Sequence, residues 1–135
     1  MSSDKKIRFG VVGVGHLGKH HMRLLEGLDC ELVGVADPSE EARKFAEDTH
    51  QVQTYADYRD LKGKVDAVTV VVPTAMHREV GCFFLNEGID VLVEKPIART
   101  AADGQAIVDA ASANDCILEV GHVERFNPAL RAVEE

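Results

Sequence analysis

Short β-branched runs recur along this chain, and each is followed by a longer amphipathic segment. Ile7–Val12 is the first run, and residues 17–28 follow with Leu17, His21, Leu24, Leu25 and Leu28 at helical spacing. Glu31–Ala36, Gln51–Tyr55, Val65–Val72, Ile89–Val93 and Cys116–Gly121 are further strand candidates, alternating with helices predicted over 40–49, 75–86 and 101–114. Gly88 is expected as the glycine just beyond the third of these helices. Strands separated by helices are joined by crossovers that lie on the sheet, which makes the strands parallel. Near-continuous Val/Ile runs, rather than alternating ones, fit strands buried on both faces. The expected fold class is α/β, a doubly wound parallel sheet of about six strands.

Where the first strand hands over to the first helix stands Gly13-Val14-Gly15-His16-Leu17-Gly18. A G-x-G-x-x-G alone is a weak signal, but between a strand and a helix it has the context that a dinucleotide-binding (Rossmann) turn requires. Gly13 permits the tight turn, Gly15 lets a pyrophosphate approach the backbone, and Gly18 lets the helix pack closely on the strand. Free N–H groups at the helix start, those of His16 and Leu17 included, attract the pyrophosphate without any lysine. Asp37 closes the next strand about 20 residues further on, where a carboxylate accepts from the adenosine ribose hydroxyls and repels a 2′-phosphate. These features predict NAD rather than NADP: no Lys or Arg directly follows Asp37, although Arg43 lies further along. The competing reading is that Asp37-Pro38 only caps the following helix.

Composition excludes several partners. At 135 residues the chain is about one domain's worth, with 15 Lys and Arg against 23 Asp and Glu and a formal charge of −8. That balance argues against nucleic acid, while backbone amides can still take a small anion. The longest strongly apolar run, Ala67–Val72, is far short of the roughly 20 residues of a membrane span. The start, Met1-Ser2-Ser3-Asp4-Lys5-Lys6, has no apolar signal region, so a cytoplasmic location and no membrane partner are expected. Cys30, Cys82 and Cys116 are widely spaced, which predicts neither a disulfide framework nor a zinc site and fits a reducing compartment. His16 and His20 sit four apart on a helix, but without a Cys or acidic third ligand on that face no metal is expected.

Three further clusters fall at the carboxyl ends of predicted strands, where open α/β sheets bind their ligands. They are Pro73-Thr74-Ala75-Met76-His77, then Glu94-Lys95-Pro96, then Gly121-His122-Val123-Glu124-Arg125-Phe126-Asn127-Pro128. In order and spacing, together with the glycine turn, these clusters resemble the Gfo/Idh/MocA oxidoreductases over the whole chain. The family is named for glucose–fructose oxidoreductase, inositol dehydrogenase and a rhizopine-catabolism protein. Glu-Lys-Pro after a strand is the most specific piece. The stretch 121–129 looks most like members acting on nucleotide-linked sugars, such as UDP-N-acetylglucosamine 3-dehydrogenases.

The resemblance implies that Pro73, Thr74 and His77 line the nicotinamide half of the cofactor site. It implies that Glu94 approaches the nicotinamide ribose, and that Lys95 faces both cofactor and substrate as the catalytic residue of this chain. Arg125 and Asn127 would lie near the substrate cleft, where the chain enters a second domain. That domain, a mixed α/β unit with a large open sheet, supplies most of the substrate pocket in the family and usually the oligomer contacts. The full-length protein is accordingly expected to be a homo-oligomer. Residues 1–124 are expected to form the NAD(P)-binding domain, and residues 125–135 to open the connection to a C-terminal domain. The local sequence fits this: Asn127-Pro128 reads as an N-cap and first helical position, and the helix with Ala129, Leu130 and Val133 on one face stops at Glu135. A short terminal helix docking back on the sheet is the rival reading to a chain cut from a longer one.

The chemistry can be argued from the residue types as well. Oxidising a secondary alcohol sends a hydride to the nicotinamide while a base removes the hydroxyl proton; in reverse, a cation or acid polarises the carbonyl. A partly desolvated lysine serves as that base, whereas Glu94 holding it charged gives it an electrostatic role. Both roles stay open here, beside the bland reading that two solvated charges end a strand. His122 is as readily a core histidine as a ligand-facing one. The expected function is the cofactor half of an NAD-dependent CH–OH dehydrogenase for a sugar or sugar nucleotide, inactive alone. The alternatives are a stand-alone NAD-binding module that regulates without catalysis, and a methyltransferase-like fold, which the glycine spacing fits less well.

Overall fold

Valine carries the sheet, because a parallel strand covered on both sides needs apolar, β-branched side chains pointing both ways. The computed structural model describes residues 5–134. Its strands are β1 (Ile7–Val12), β2 (Cys30–Ala36), β3 (Gln53–Tyr55), β4 (Ala67–Val70), β5 (Asp90–Val93) and β6 (Leu118–Val120). All pairs are parallel, in the order β3-β2-β1-β4-β5-β6. The sheet grows outward from β1 to β3 and then, from β4, in the opposite direction. This reversal opens a crevice at the carboxyl ends of β1 and β4, where doubly wound folds bind ligands. The expected Rossmann fold is the observed one.

The helices are α1 (His16–Glu26), α2 (Glu40–His50), α3 (His77–Asn86), α4 (Ala101–Ala113) and α5 (Pro128–Glu134). On one face of the sheet α1 and α2 bury Met22, Leu25 and Ala46 against Val11, Val35 and Val52. On the other, α3 and α4 bury Val80, Phe84, Leu85 and Ile107 against Val68, Val70, Val91 and Val93. Helix α3 ends at a glycine beyond its C-cap, as expected: Gly88 has φ +74°, and the Ile89 amide donates to Phe84 O at 3.0 Å. Asn127 likewise opens α5, its Oδ1 accepting from the Ala129 amide at 2.9 Å.

Two expectations are corrected. The apolar face of α1 is only partly the predicted one: Leu25 is buried as expected, but Leu17 and Leu24, with Leu28 just beyond the helix, are 48%, 57% and 62% exposed, while Gly18 and Met22 also face the sheet. The helix docks through Gly18, and that contact point sets its rotation. A 3₁₀ turn at Tyr58–Leu61, which the sequence pattern did not indicate, closes the core on the α3 side. Its Leu61 is fully buried over a sheet flattened by glycine: a Cβ at Gly34 would stand 2.6 Å from Leu61 Cδ2. β1 has its predicted bounds and β2 begins one residue earlier, whereas β3 to β6 are shorter than predicted; Gln51 turns left-handed at φ +49° before β3 and Asp115 at φ +52° before β6.

At the rim opposite the crevice Arg8 clasps Asp66, donating Nε to Oδ2 at 3.2 Å, Nη2 to Oδ1 at 2.8 Å and its amide to Oδ2 at 2.9 Å. These hydrogen bonds hold the Asp66 carboxyl down from the ordinary 3.8 to about 2. A depressed carboxyl pKa stabilises the fold above the unfolded value, and the contribution fades as pH falls from about 4 to about 2. Asp66→Asn is therefore expected to lower the urea midpoint modestly at neutral pH, since both side chains are partly solvated. The gap from the parent should close by about pH 2; a gap that does not vary with pH would sink the assignment.

The three cysteines are free and partly buried, and burial pushes each thiol pKa up, which keeps them from acting as thiolate nucleophiles. Among the described residues no helix is long and apolar enough to cross a membrane. The face of β4–β6 on the α1 side is open. A concavity of about 670 Å³ runs over it, lined by Ile7, Phe9, Leu24, Leu28, Leu92, Ile117, Val123 and Phe126.

Candidate functional site

The turn after β1 is shaped by what glycine lacks. Gly13 has φ +102°, and a Cβ there would lie 2.5 Å from Val71 O. A Cβ at Gly18 would collide with the Gly13 carbonyl oxygen, so α1 starts almost on top of the turn. Gly15 caps the helix with no side chain bonding its first amides, and the first turn holds no acid. Around a Cβ built on Gly15 there is nothing within 4 Å. Bare amides, a helix dipole and open space beside the backbone fit a pyrophosphate.

Asp37 follows β2 and does two jobs at once. Its Oδ2 accepts from the Val14 amide in the glycine turn and its Oδ1 from the Ser39 amide, each at 2.8 Å. Capping of α2 falls instead to Ser39, whose Oγ accepts from the Ala42 amide at 3.2 Å. The carboxylate thus ties the turn to β2, and each oxygen keeps a further lone pair for a ribose hydroxyl. Arg43 lies close by, its Nη1 donating to the carbonyls of Asp37 and Pro38 at 2.9 Å each.

A groove of about 630 Å³ runs along the carboxyl ends of β1, β4 and β5. Gly13, Gly15, His16, Leu17 and Asp37 line one end, and Pro73, Thr74, His77, Glu94 and Lys95 the other. Gly18 does not line it but supports it from beneath. Arg125 and Asn127 lie outside it: both are exposed, and Asn127 spends its side chain on Glu124 Oε2 and the Ala129 amide. Tyr58, Ala56 and Met76 line the groove as well. Tyr58 was missed in the sequence, although Asp57 accepting from the Arg59 amide starts its 3₁₀ turn and is a legible capping signal.

Two residues line the groove as expected but make further contacts that the sequence did not indicate. His77 borders the groove yet is only 1% exposed. Its Nε2 lies 3.0 Å from Val72 O, and its Nδ1 lies 3.0 Å and 3.2 Å from Pro96 O and Ile97 O. Both nitrogens face only carbonyl oxygens, so the neutral ring, with one N–H, hydrogen-bonds either the segment after β4 or the segment after β5 while packing between the two. Glu94 does not pair with the Lys95 ammonium. Its Oε1 lies 2.8 Å from His21 Nε2, and Lys95 reaches its Oε2 only through the backbone amide, at 3.2 Å. Lys95 itself is exposed at the groove. His16 and His20 pack edge to face at 4.9 Å, and the described residues hold no cluster of three or more His, Cys, Asp or Glu placed to hold a metal.

Known proteins resemble this chain in sequence and fold. The UDP-N-acetylglucosamine 3-dehydrogenase of Acidithiobacillus ferrooxidans is 30% identical over 129 residues, covering 96% of this chain and 41% of the relative. Inositol 2-dehydrogenase 1 of Saccharopolyspora erythraea is 36% identical over 130 residues, covering 91% and 39%. The WlbA dehydrogenase of Bordetella pertussis, solved in complex with NADH and UDP-GlcNAcA, superposes with a TM-score of 0.90 at 30% identity, covering 97% and 39%. The chain therefore spans about two-fifths of the relatives it matches, 41% and 39% for the two by sequence. The profile of GFO_IDH_MocA, described as the oxidoreductase family with an NAD-binding Rossmann fold, matches residues 7–122. With its six-stranded sheet, glycine turn and Glu94-Lys95-Pro96 edge, the chain belongs to the Gfo/Idh/MocA family of oxidoreductases.

Proposed function

We propose that this chain binds NAD along the groove, as the cofactor part of a dehydrogenase that moves a hydride between a sugar or sugar-nucleotide hydroxyl and the nicotinamide. The observation that carries the reading is the polarity of one groove: anion-binding amides and Asp37 at one end, Glu94 and Lys95 at the other. A bound nicotinamide would supply the hydride chemistry. The chain's own residues do the rest. The amides of the glycine turn hold the pyrophosphate, and Asp37 accepts from the adenosine ribose. Lys95 stands at the reactive end as a cation for the substrate oxygen and its proton. With Glu94 committed to His21, an electrostatic role no longer depends on a Glu94–Lys95 pair.

NAD is preferred over NADP because the Asp37 carboxylate would oppose a 2′-phosphate, and Arg43 turns its Nη1 to the carbonyls of Asp37 and Pro38. The same proposal places the substrate pocket and the oligomer contacts in a second domain after residue 124, with residues 125–135 as the connection. Supporting it are the greater length of the relatives and the apolar concavity that stands open over β4–β6. A cytoplasmic setting belongs to the same reading and agrees with three free cysteines. Titration of the 135-residue chain should give a lower Kd for NADH than for NADPH, by about tenfold or more, with little or no dehydrogenase turnover. Tighter NADPH binding would overturn the cofactor assignment, and robust turnover the second domain.

A further inference from the structure

The groove and the apolar concavity beside it meet at one side chain, Glu94, which lines both. Its carboxylate accepts from two donors, and a glycine leaves it room. His21 of α1 contributes Nε2 at 2.8 Å from Oε1, with the two side chains only 15% and 13% exposed. A carboxylate accepts and does not donate, so this nitrogen carries the hydrogen. The amide of Lys95 donates to Oε2 at 3.2 Å. At the end of β6, Gly121 leaves the space, since a Cβ there would stand 3.1 Å from Glu94 Oε2.

None of these contacts is required by the sheet, whose ladders use backbone groups alone. Burying an imidazole and a carboxylate carries a desolvation cost that two apolar side chains at the same place would avoid. The geometry therefore points to a role at the groove. We infer that His21 is a positioning residue for the nicotinamide end: by holding Oε1 of Glu94 it sets the carboxylate to accept a ribose hydroxyl with a remaining lone pair. The inference rests on the dinucleotide reading of the groove. His21 itself lines only the apolar concavity and touches Glu94 from behind. Its effect should therefore be confined to the half of the ligand nearest Glu94.

The test uses the 135-residue chain with two probes, NADH and ADP; ADP keeps the adenosine and pyrophosphate but lacks the second ribose and the nicotinamide. His21→Leu, which fills the space without a donor, should weaken NADH about tenfold and leave ADP within about twofold. His21→Gln, whose amide N–H can still reach the carboxylate, should recover most of the loss. In a Glu94→Ala background, His21→Leu should change NADH affinity by less than about twofold. A parent chain that binds neither NADH nor ADP defeats the cofactor reading itself. If the parent binds both, the positioning role fails when His21→Leu weakens both probes alike, when it leaves NADH unchanged, or when Gln does not rescue. Should His21→Leu not fold, His21→Ala, which also lacks the donor, takes its place alone and in the Glu94→Ala background, with the same expected and overturning results for NADH and ADP.

Discussion

Gly18→Ala is expected to remove measurable NADH binding from the 135-residue chain and to destabilise it by about 3 kcal/mol. The added methyl would sit on the carbonyl oxygen of Gly13, a backbone atom in a turn that is itself confined by Val71 O. Neither group is the flexible end of a side chain, so the strain cannot be relieved by a rotamer change. Relief comes only from lifting α1 off the turn. That movement pulls the bare amides at Gly15, His16 and Leu17 away from the groove, and it tilts Met22 and Leu25 out of the core. Affinity and stability should fall together, the first by about 100-fold or more, as read by NADH fluorescence titration and urea unfolding. A variant that binds NADH within threefold of the parent would show that the close approach does not place the helix.

The second large effect is expected at His77. His77→Leu roughly keeps the volume of the buried ring and deletes its N–H, leaving without a donor whichever carbonyl that N–H serves, Val72 O on one side or Pro96 O and Ile97 O on the other. A buried acceptor stripped of its donor costs about 1–3 kcal/mol, so a loss of about 3 kcal/mol in unfolding free energy is expected. Those carbonyls belong to the two segments that carry Thr74 and Lys95, and the buried ring packs between them. NADH affinity should therefore fall by about tenfold, whereas ADP, which ends before these segments, should change little. Equal losses for both ligands would mean that the ring supports the whole domain rather than the nicotinamide end.

Both predictions separate what local sequence encodes from what it does not. Gly13, Gly15 and Gly18 were legible because each answers a local demand: a positive φ, open space beside the backbone, or a close contact five residues away in the chain. Asp37 was legible because it ends a strand at the expected distance from the turn, although its grip on the Val14 amide was not. His77 was placed at the right edge, but the pattern could not reveal that its ring turns inward to brackets of backbone oxygen. For Arg125 and Asn127 the structure of this chain offers no place in the groove, and their substrate role remains part of the proposal about the second domain.

Periodicity and turn chemistry in this sequence determined the order of strands and helices, the doubly wound sheet and the position of the anion-binding turn. Each element depends on side chains within a few residues of one another, and the succession of continuous β-branched runs and helical periodicity reports it directly. Tertiary structure alone decided the rotation of α1, the Leu61 plug over Gly34, and the meeting of His21 with Glu94, partners 73 residues apart. Those outcomes follow from how closely a helix or turn can approach the sheet. That distance is set by the side chains absent from Gly18 and Gly34, and it exists only once the elements pack.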